Sequence, residues 1–167
     1  MPLCLITGGS ACGKSTFAEG LLEACGVPRY YIAAMRPVSD WDRKRVARHR
    51  AAREGKNFIT VEKYTDIGEI RLPEKGSALL ECVCNLCANE MYSPDADKDA
   101  AAEKIIRDIL ALDAQCETLF VITNEIGSDE PAGFSDYINA VGRINAALAE
   151  QADCVYEVVC GIPLRIK

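Results

Sequence analysis

Histidine is almost missing from this chain: 167 residues hold one, His49, so no metal site can be built here from a histidine pair. Glycine and proline are modest, at 12 and 7 residues, against an apolar share of 49%, which excludes a disordered chain. No apolar run approaches the roughly 18 residues of a membrane span, and the apolar stretch between Pro2 and Thr7 is too short for a signal-peptide core. The expectation is a cytoplasmic protein with no membrane span. Basic residues are not in excess either: 19 Lys and Arg stand against 25 Asp and Glu, a net charge of −6, which argues against nucleic acid as a partner. Repeats, low-complexity linkers and composition breaks are lacking too, so residues 1–167 are expected to form a single domain. A chain of this length buries roughly 68–70% of its unfolded surface, enough for a core without staples.

Cysteine, by contrast, is abundant, with nine residues. In a reducing compartment most should act as small buried apolar groups. Only Cys82, Cys84 and Cys87 are spaced as metal ligands could be, and they lack a fourth partner, so no metal is expected there.

Short apolar runs alternate with amphipathic stretches. Strands are expected at Leu3–Ile6, Arg29–Ala34, Asn57–Glu62, Ala78–Leu80 and Thr118–Ile122, with a final pair at Cys154–Val159 and Ile162–Ile166. Helices are expected from Lys14 to near Gly26, from Asp40 to about Arg53, from Asp95 to Gln115, and along Phe134, Ile138, Val141 and Leu148. Strands apolar throughout and alternating with helices predict an α/β fold, a mainly parallel sheet covered on both faces.

Gly8-Gly9-Ser10-Ala11-Cys12-Gly13-Lys14-Ser15 fits G-x-x-x-x-G-K-[ST] at every fixed position, between an expected strand and an expected helix. Glycines let the backbone wrap a phosphate chain, amides and a helix N-terminus supply positive potential, and Lys14 reaches the outer phosphates. Ser15 would ligate Mg2+. A carboxylate at the end of a neighbouring strand should help hold that ion: Glu81 or Glu125 by position, with Asp113 and Asp153 reading as loop or capping residues. The motif implies a P-loop nucleoside-triphosphate site.

Basic residues crowd between Arg36 and Arg53, around His49. On a helix, Arg45, His49 and Arg53 are four apart and share one face. An imidazole between guanidiniums stays neutral and nucleophilic, and the same arginines could hold a triphosphate during attack on its α-phosphorus. A solvated basic helix with an incidental histidine would show the same spacing. The residues alone therefore leave open a P-loop kinase of some small hydroxylated metabolite, or a nucleotide-binding module without catalysis.

The phosphate loop, Tyr31-Ile32-Ala33, Arg45-x-x-x-His49-x-x-x-Arg53 and Thr60-x-Glu62 together resemble the bifunctional adenosylcobinamide kinase/adenosylcobinamide-phosphate guanylyltransferase family of cobalamin biosynthesis. Leu79-Leu80-Glu81-Cys82, Thr123-Asn124-Glu125-Ile126-Gly127, Gly142-Arg143-Ile144-Asn145 and the C-terminal Gly161–Lys167 follow in the same order. The resemblance implies a RecA-like P-loop fold, a homotrimer, and two reactions. One phosphorylates adenosylcobinamide with ATP or GTP; the other transfers GMP from GTP to the resulting phosphate through a guanylylated histidine. By resemblance His49 is that histidine and Lys14 serves the phosphates. Gly8 to Ser15, Ala34, Met35, Arg36, Arg50, Ala51, Ala52, Arg53, Glu62 and Glu81 would line the nucleotide site, with Ser15 and Glu81 on Mg2+. The chain departs from the family pattern at Glu54 and Phe58 and between Ser128 and Tyr137.

Overall fold

The computed structural model describes residues 2–94, 96–126 and 135–167. Residues 127–133 and the expected helix start at Phe134 lie outside the described residues, as does Asp95. The elements are β1 (Leu3–Thr7), α1 (Lys14–Glu23), β2 (Arg29–Ala33), α2 (Asp40–Ala52), β3 (Phe58–Glu62), β4 (Ser77–Leu80), α3 (Val83–Tyr92), α4 (Ala101–Asp113), β5 (Thr118–Ile122), α5 (Ser135–Gln151), β6 (Cys154–Val159) and β7 (Ile162–Arg165).

The strands form one seven-stranded sheet in the order β3-β2-β4-β5-β1-β6-β7. All neighbours are parallel except β6 and β7. Parallel strands buried on both sides need apolar residues at every position, which explains Leu-Cys-Leu-Ile and Ala-Leu-Leu. Leu5, Ile32, Leu80 and Val121 pack with Ile109, Leu112, Ile144 and Leu148 of α4 and α5. On the other face Ile6, Tyr31, Leu79 and Phe120 pack with Ala18 and Leu22 of α1.

The expected strands and their terminal pairing are present, but the helices of the middle segment differ from the reading. A helix not foreseen, α3, fills Val83–Tyr92, and the helix expected from Asp95 begins only at Ala101. The separation is local. Ser93 precedes Pro94 and takes an extended conformation (φ −69, ψ 153), ending α3. Asp97 Oδ1 then accepts from the Asp99 and Ala100 amides, turning the chain into α4.

The β6–β7 hairpin turns through Cys160 and Gly161, both at positive φ (50 and 81), the arrangement favoured by right-twisted strands. The Gly161 N–H donates to the Cys12 carbonyl (2.8 Å), so this hairpin braces the loop that follows β1.

Candidate active site

The phosphate-loop motif sits where β1 ends in mid-sheet. Gly8 turns with φ +147, and a Cβ there would lie 2.5 Å from the Val158 carbonyl oxygen on β6, so glycine alone fits. Gly13, at φ +96, caps α1 and makes Lys14 its first residue. The opening amides of α1, unpaired within the helix, thus face the loop with the positive end of its dipole. Lys14 is buried, and its Nζ donates to the Gly9 carbonyl at 2.8 Å. A curled run of amides closed by one ammonium is a cradle for a polyanion.

A cleft of about 480 Å³ opens from this cradle. Ser10 to Ser15 form one wall. The C-terminal ends of β4 and β5 supply Glu81, Cys82, Ile122 and Asn124, and α3 adds Asn85. The opposite wall is α2, with Trp41, Arg45, Arg48 and His49. Ligand sites at the carboxyl ends of parallel strands are the rule for open α/β sheets. Ser15 and Glu81, a hydroxyl and a carboxylate in the same cleft as Lys14, are hard oxygen donors of the kind Mg2+ takes with its waters.

His49 is the common wall of this cleft and a smaller hollow lined by Ala33, Met35, Val46, Arg50, Arg53, Glu62, Tyr64 and Glu81. Its Nδ1 lies 3.8 Å from Glu81 Oε1. Burial pushes the imidazole pKa below its usual 6.5; Glu81 opposes this, and Arg45, Arg48 and Arg53 push the same way as burial. The neutral ring is therefore the resting form at pH 7.

The expected trio Arg45, His49 and Arg53 does not stay on one face. Each step of four residues rotates about 40° around a helix, so eight residues carry Arg53 about 80° away from Arg45. Arg45 faces the phosphate-loop cleft, whereas Arg53 lines the smaller hollow and stacks 3.8 Å over the Tyr31 ring. Arg53 is only 7% exposed, and its Nη1 finds no hydrogen-bond partner among the described residues. Arg50 pairs with Glu62, which also accepts from the Tyr64 hydroxyl at 3.3 Å. Beyond them lies a hollow bounded by Arg50, Arg53, Glu54, Phe58, Thr60 and Glu62.

The remaining expected residues are dispersed. Ala34 is buried in the core, with its carbonyl held by Asn89 Nδ2 at 2.8 Å. Arg36 sits over the Tyr64 ring at 5.7 Å, and Ala51 is exposed on α2. Ala52 closes that helix. Of the strand-end carboxylates, Glu81 is in the cleft, while Glu125 borders a separate hollow with Asn139 and Asn145. Asp153 lies at the opposite, N-terminal ends of the strands, accepting from the Leu3 amide at 2.8 Å. Asp113 ends α4, and burial raises its pKa.

Trp41 and Asn85 line the cleft with no expectation attached to them, and so does Asn124, which the sequence offers only within the Thr123–Gly127 resemblance. For Asn124 a signal existed, since it follows an apolar strand as Glu81 does. Behind it, Asn145 of α5 donates to the Asn124 carbonyl (3.1 Å) and accepts from the Thr123 hydroxyl (2.6 Å), fixing the end of β5 against α5.

Cys82 caps α3, its sulfur accepting from the Asn85 amide at 3.5 Å, and Cys84 and Cys87 are buried in the core. Replacing all three by Ala should leave the site working, because none is required to touch a reacting atom. The cost should be stability, on the order of 1 kcal/mol for each buried sulfur. Thermal melts together with turnover check this; stoichiometric metal lost along with activity would contradict it.

Loop, sheet order and cleft define the class: a P-loop α/β protein. The flagellar accessory protein FlaH from Methanocaldococcus jannaschii shares the fold, with a TM-score of 0.50 at 10% identity over 99% of this chain and 78% of that one. Within that class the chain belongs to the cobinamide kinase / cobinamide phosphate guanyltransferase family, whose model matches residues 4–166. It is 30% identical over 182 aligned residues to the bifunctional adenosylcobalamin biosynthesis protein CobU of Escherichia coli (strain K12), covering 99% of both. The same identity and coverage, over 183 aligned residues, relate it to the protein of that name from Salmonella typhimurium (strain LT2).

Proposed function

We propose that this protein phosphorylates the hydroxyl of adenosylcobinamide and then transfers GMP from GTP to that phosphate, with His49 as the covalent carrier. The observation that carries the reading is the position of His49, a neutral imidazole facing Glu81 in the same cleft as Lys14 and Ser15. Family membership supplies the two reactions. The whole chain acts as one catalytic domain, in the cytoplasm and as a homotrimer.

Glu81 favours the Nδ1–H tautomer of His49 and leaves the Nε2 lone pair free. Nε2 attacks the α-phosphorus of GTP; a P–N bond forms as the P–O bond to pyrophosphate breaks. Nδ1 keeps its proton, so the ring becomes cationic, and the Glu81 carboxylate offsets that charge. Lys14, the loop amides and Arg45 take up charge on the leaving pyrophosphate. A phosphate oxygen of the acceptor then attacks the same phosphorus, the P–N bond breaks, and neutral imidazole returns. Ser15 and Glu81 would hold Mg2+, which when bound supplies further neutralisation of the phosphates. Arg50, Arg53 and Glu62, on the far side of His49, serve the nucleoside end.

GTP labelled at the α-phosphate should leave acid-labile, base-stable label on the protein, and GTP labelled only at the γ-phosphate should leave none. Absence of α-label in protein that binds GTP would leave the kinase reading in its place. The pH profile of loading is a second measure. Because the His49 pKa is lowered, loading should stay level through neutral pH and fall only below pH 6.5. Glu81→Gln removes the charge that holds this pKa up, so the acid limb should move lower still. An acid limb above 6.5 would contradict the environment described.

A further inference from the structure

One wall of the cleft carries an aromatic ring to which the steps above give no role. Trp41, the chain's only tryptophan, is in the first turn of α2 and is 66% exposed. It nevertheless lines the same cleft as Lys14, Glu81 and His49. The Arg45 guanidinium lies over it, 5.4 Å from the ring centroid, and Arg48 borders the cleft on the same helix. Val38, just before the helix, is 74% exposed. An indole left in water at a cleft mouth, with one guanidinium over it and a second lining the same cleft, has the composition of a binding hot spot rather than of a solvated face.

We propose that Trp41, with Arg45 and Arg48, is the acceptor-binding wall of this site. The inference rests on the guanylyltransferase reading above. The acceptor phosphate attacks the phosphorus on His49 in line, from the side pyrophosphate has vacated, while the body of the acceptor needs a surface the phosphate loop does not fill. Among the described residues the loop forms one wall and the strand ends with Asn85 of α3 form the floor, which leaves α2. An acceptor suited to this wall has a broad, flat, apolar face to lie on the indole and a phosphate for the guanidiniums. Cobinamide phosphate has both, in its macrocycle and its phosphorylated arm. The labour is thus divided: loop and smaller hollow for the nucleotide, the Trp41 rim of α2 for the corrinoid, and Arg45 between them for pyrophosphate first and, once that has left, for the acceptor phosphate.

The test separates the two half-reactions. In Trp41→Ala, the KM for cobinamide phosphate should rise about tenfold with kcat little changed. GMP loading from GTP, which needs no acceptor, should match wild type, and Trp41→Phe should restore most of the affinity. An unchanged acceptor KM overturns the proposal. So does loss of GMP loading, which would assign the ring to the guanine base. A changed oligomeric state on size exclusion overturns it as well, since Trp41 would then be a contact between copies. Wild type that loads no GMP would sink the guanylyltransferase reading instead. The wall would then be judged by titrating cobinamide phosphate against wild type and Trp41→Ala by equilibrium dialysis. Weaker binding in the variant upholds it, and equal binding overturns it.

Discussion

Replacing His49 by Asn should abolish covalent labelling by α-labelled GTP and reduce guanylyl transfer at least about a thousandfold, while phosphorylation of cobinamide stays measurable. The chain has no second histidine to take over the phosphorus. Asn matches the polar outline of the ring near its root and suits a half-buried position on a helix, so the fold should survive. Its amide nitrogen has no basic lone pair, however, and cannot form the P–N bond. The side chain is only partly buried, which limits the stability cost to about 1 kcal/mol. The decisive comparison is between the two activities of one preparation. Equal loss of both would make His49 a general part of the cleft; loss of transfer alone makes it the nucleophile.

Lys14→Ala should lower both activities by about a hundredfold to a thousandfold, the usual effect of deleting one group that stabilises transition-state charge. The described residues show one phosphate cradle, so one ammonium is available to the triphosphate in each reaction. In the present structure that ammonium holds the Gly9 carbonyl at 2.8 Å. Losing this hydrogen bond should cost only about 0.5–1.5 kcal/mol of stability, too little to explain such a drop in rate. Melting temperature and kcat/KM for each reaction, measured on the same protein, separate the two effects. Guanylyl transfer at the wild-type rate would show that it uses phosphate-binding groups other than this loop.

The features legible in the sequence were those written in contiguous residues. Gly8 to Ser15 is a complete device within one turn, because wrapping a phosphate takes consecutive amides and one lysine. Strand positions were legible because parallel strands buried on both faces must be apolar throughout. The break between α3 and α4 is less so: the apolar periodicity of residues 101–112 places a helix start at Asp95 rather than Ala101, and it predicts no helix at Val83–Tyr92. The signal for that break lay in Ser93-Pro94 and Asp97, short-range turn chemistry outweighed by the longer pattern.

The choice between Glu81 and Glu125 could not be made from position along the chain, since both follow apolar strands. It was decided by where each carboxylate came to rest. Glu81 follows β4 into the cleft facing α2, and Glu125 borders a different hollow near α5. Likewise the face of α2 that meets the loop depends on its rotation against the sheet, which put Arg45, Arg48 and Trp41 in the cleft with the phosphate loop and buried Arg53 over Tyr31. Sequence alone determined the phosphate cradle, the lone histidine and the α/β class, all local or periodic properties of the chain. The grouping of His49 with Glu81 and Asn124, and the exposed indole opposite the loop, belong to the tertiary structure. These groups come from β4, β5 and α2, and only the sheet order β2-β4-β5-β1 brings their ends to one edge. No spacing along the chain encodes that order, because it is set by how two faces of apolar side chains are covered at once.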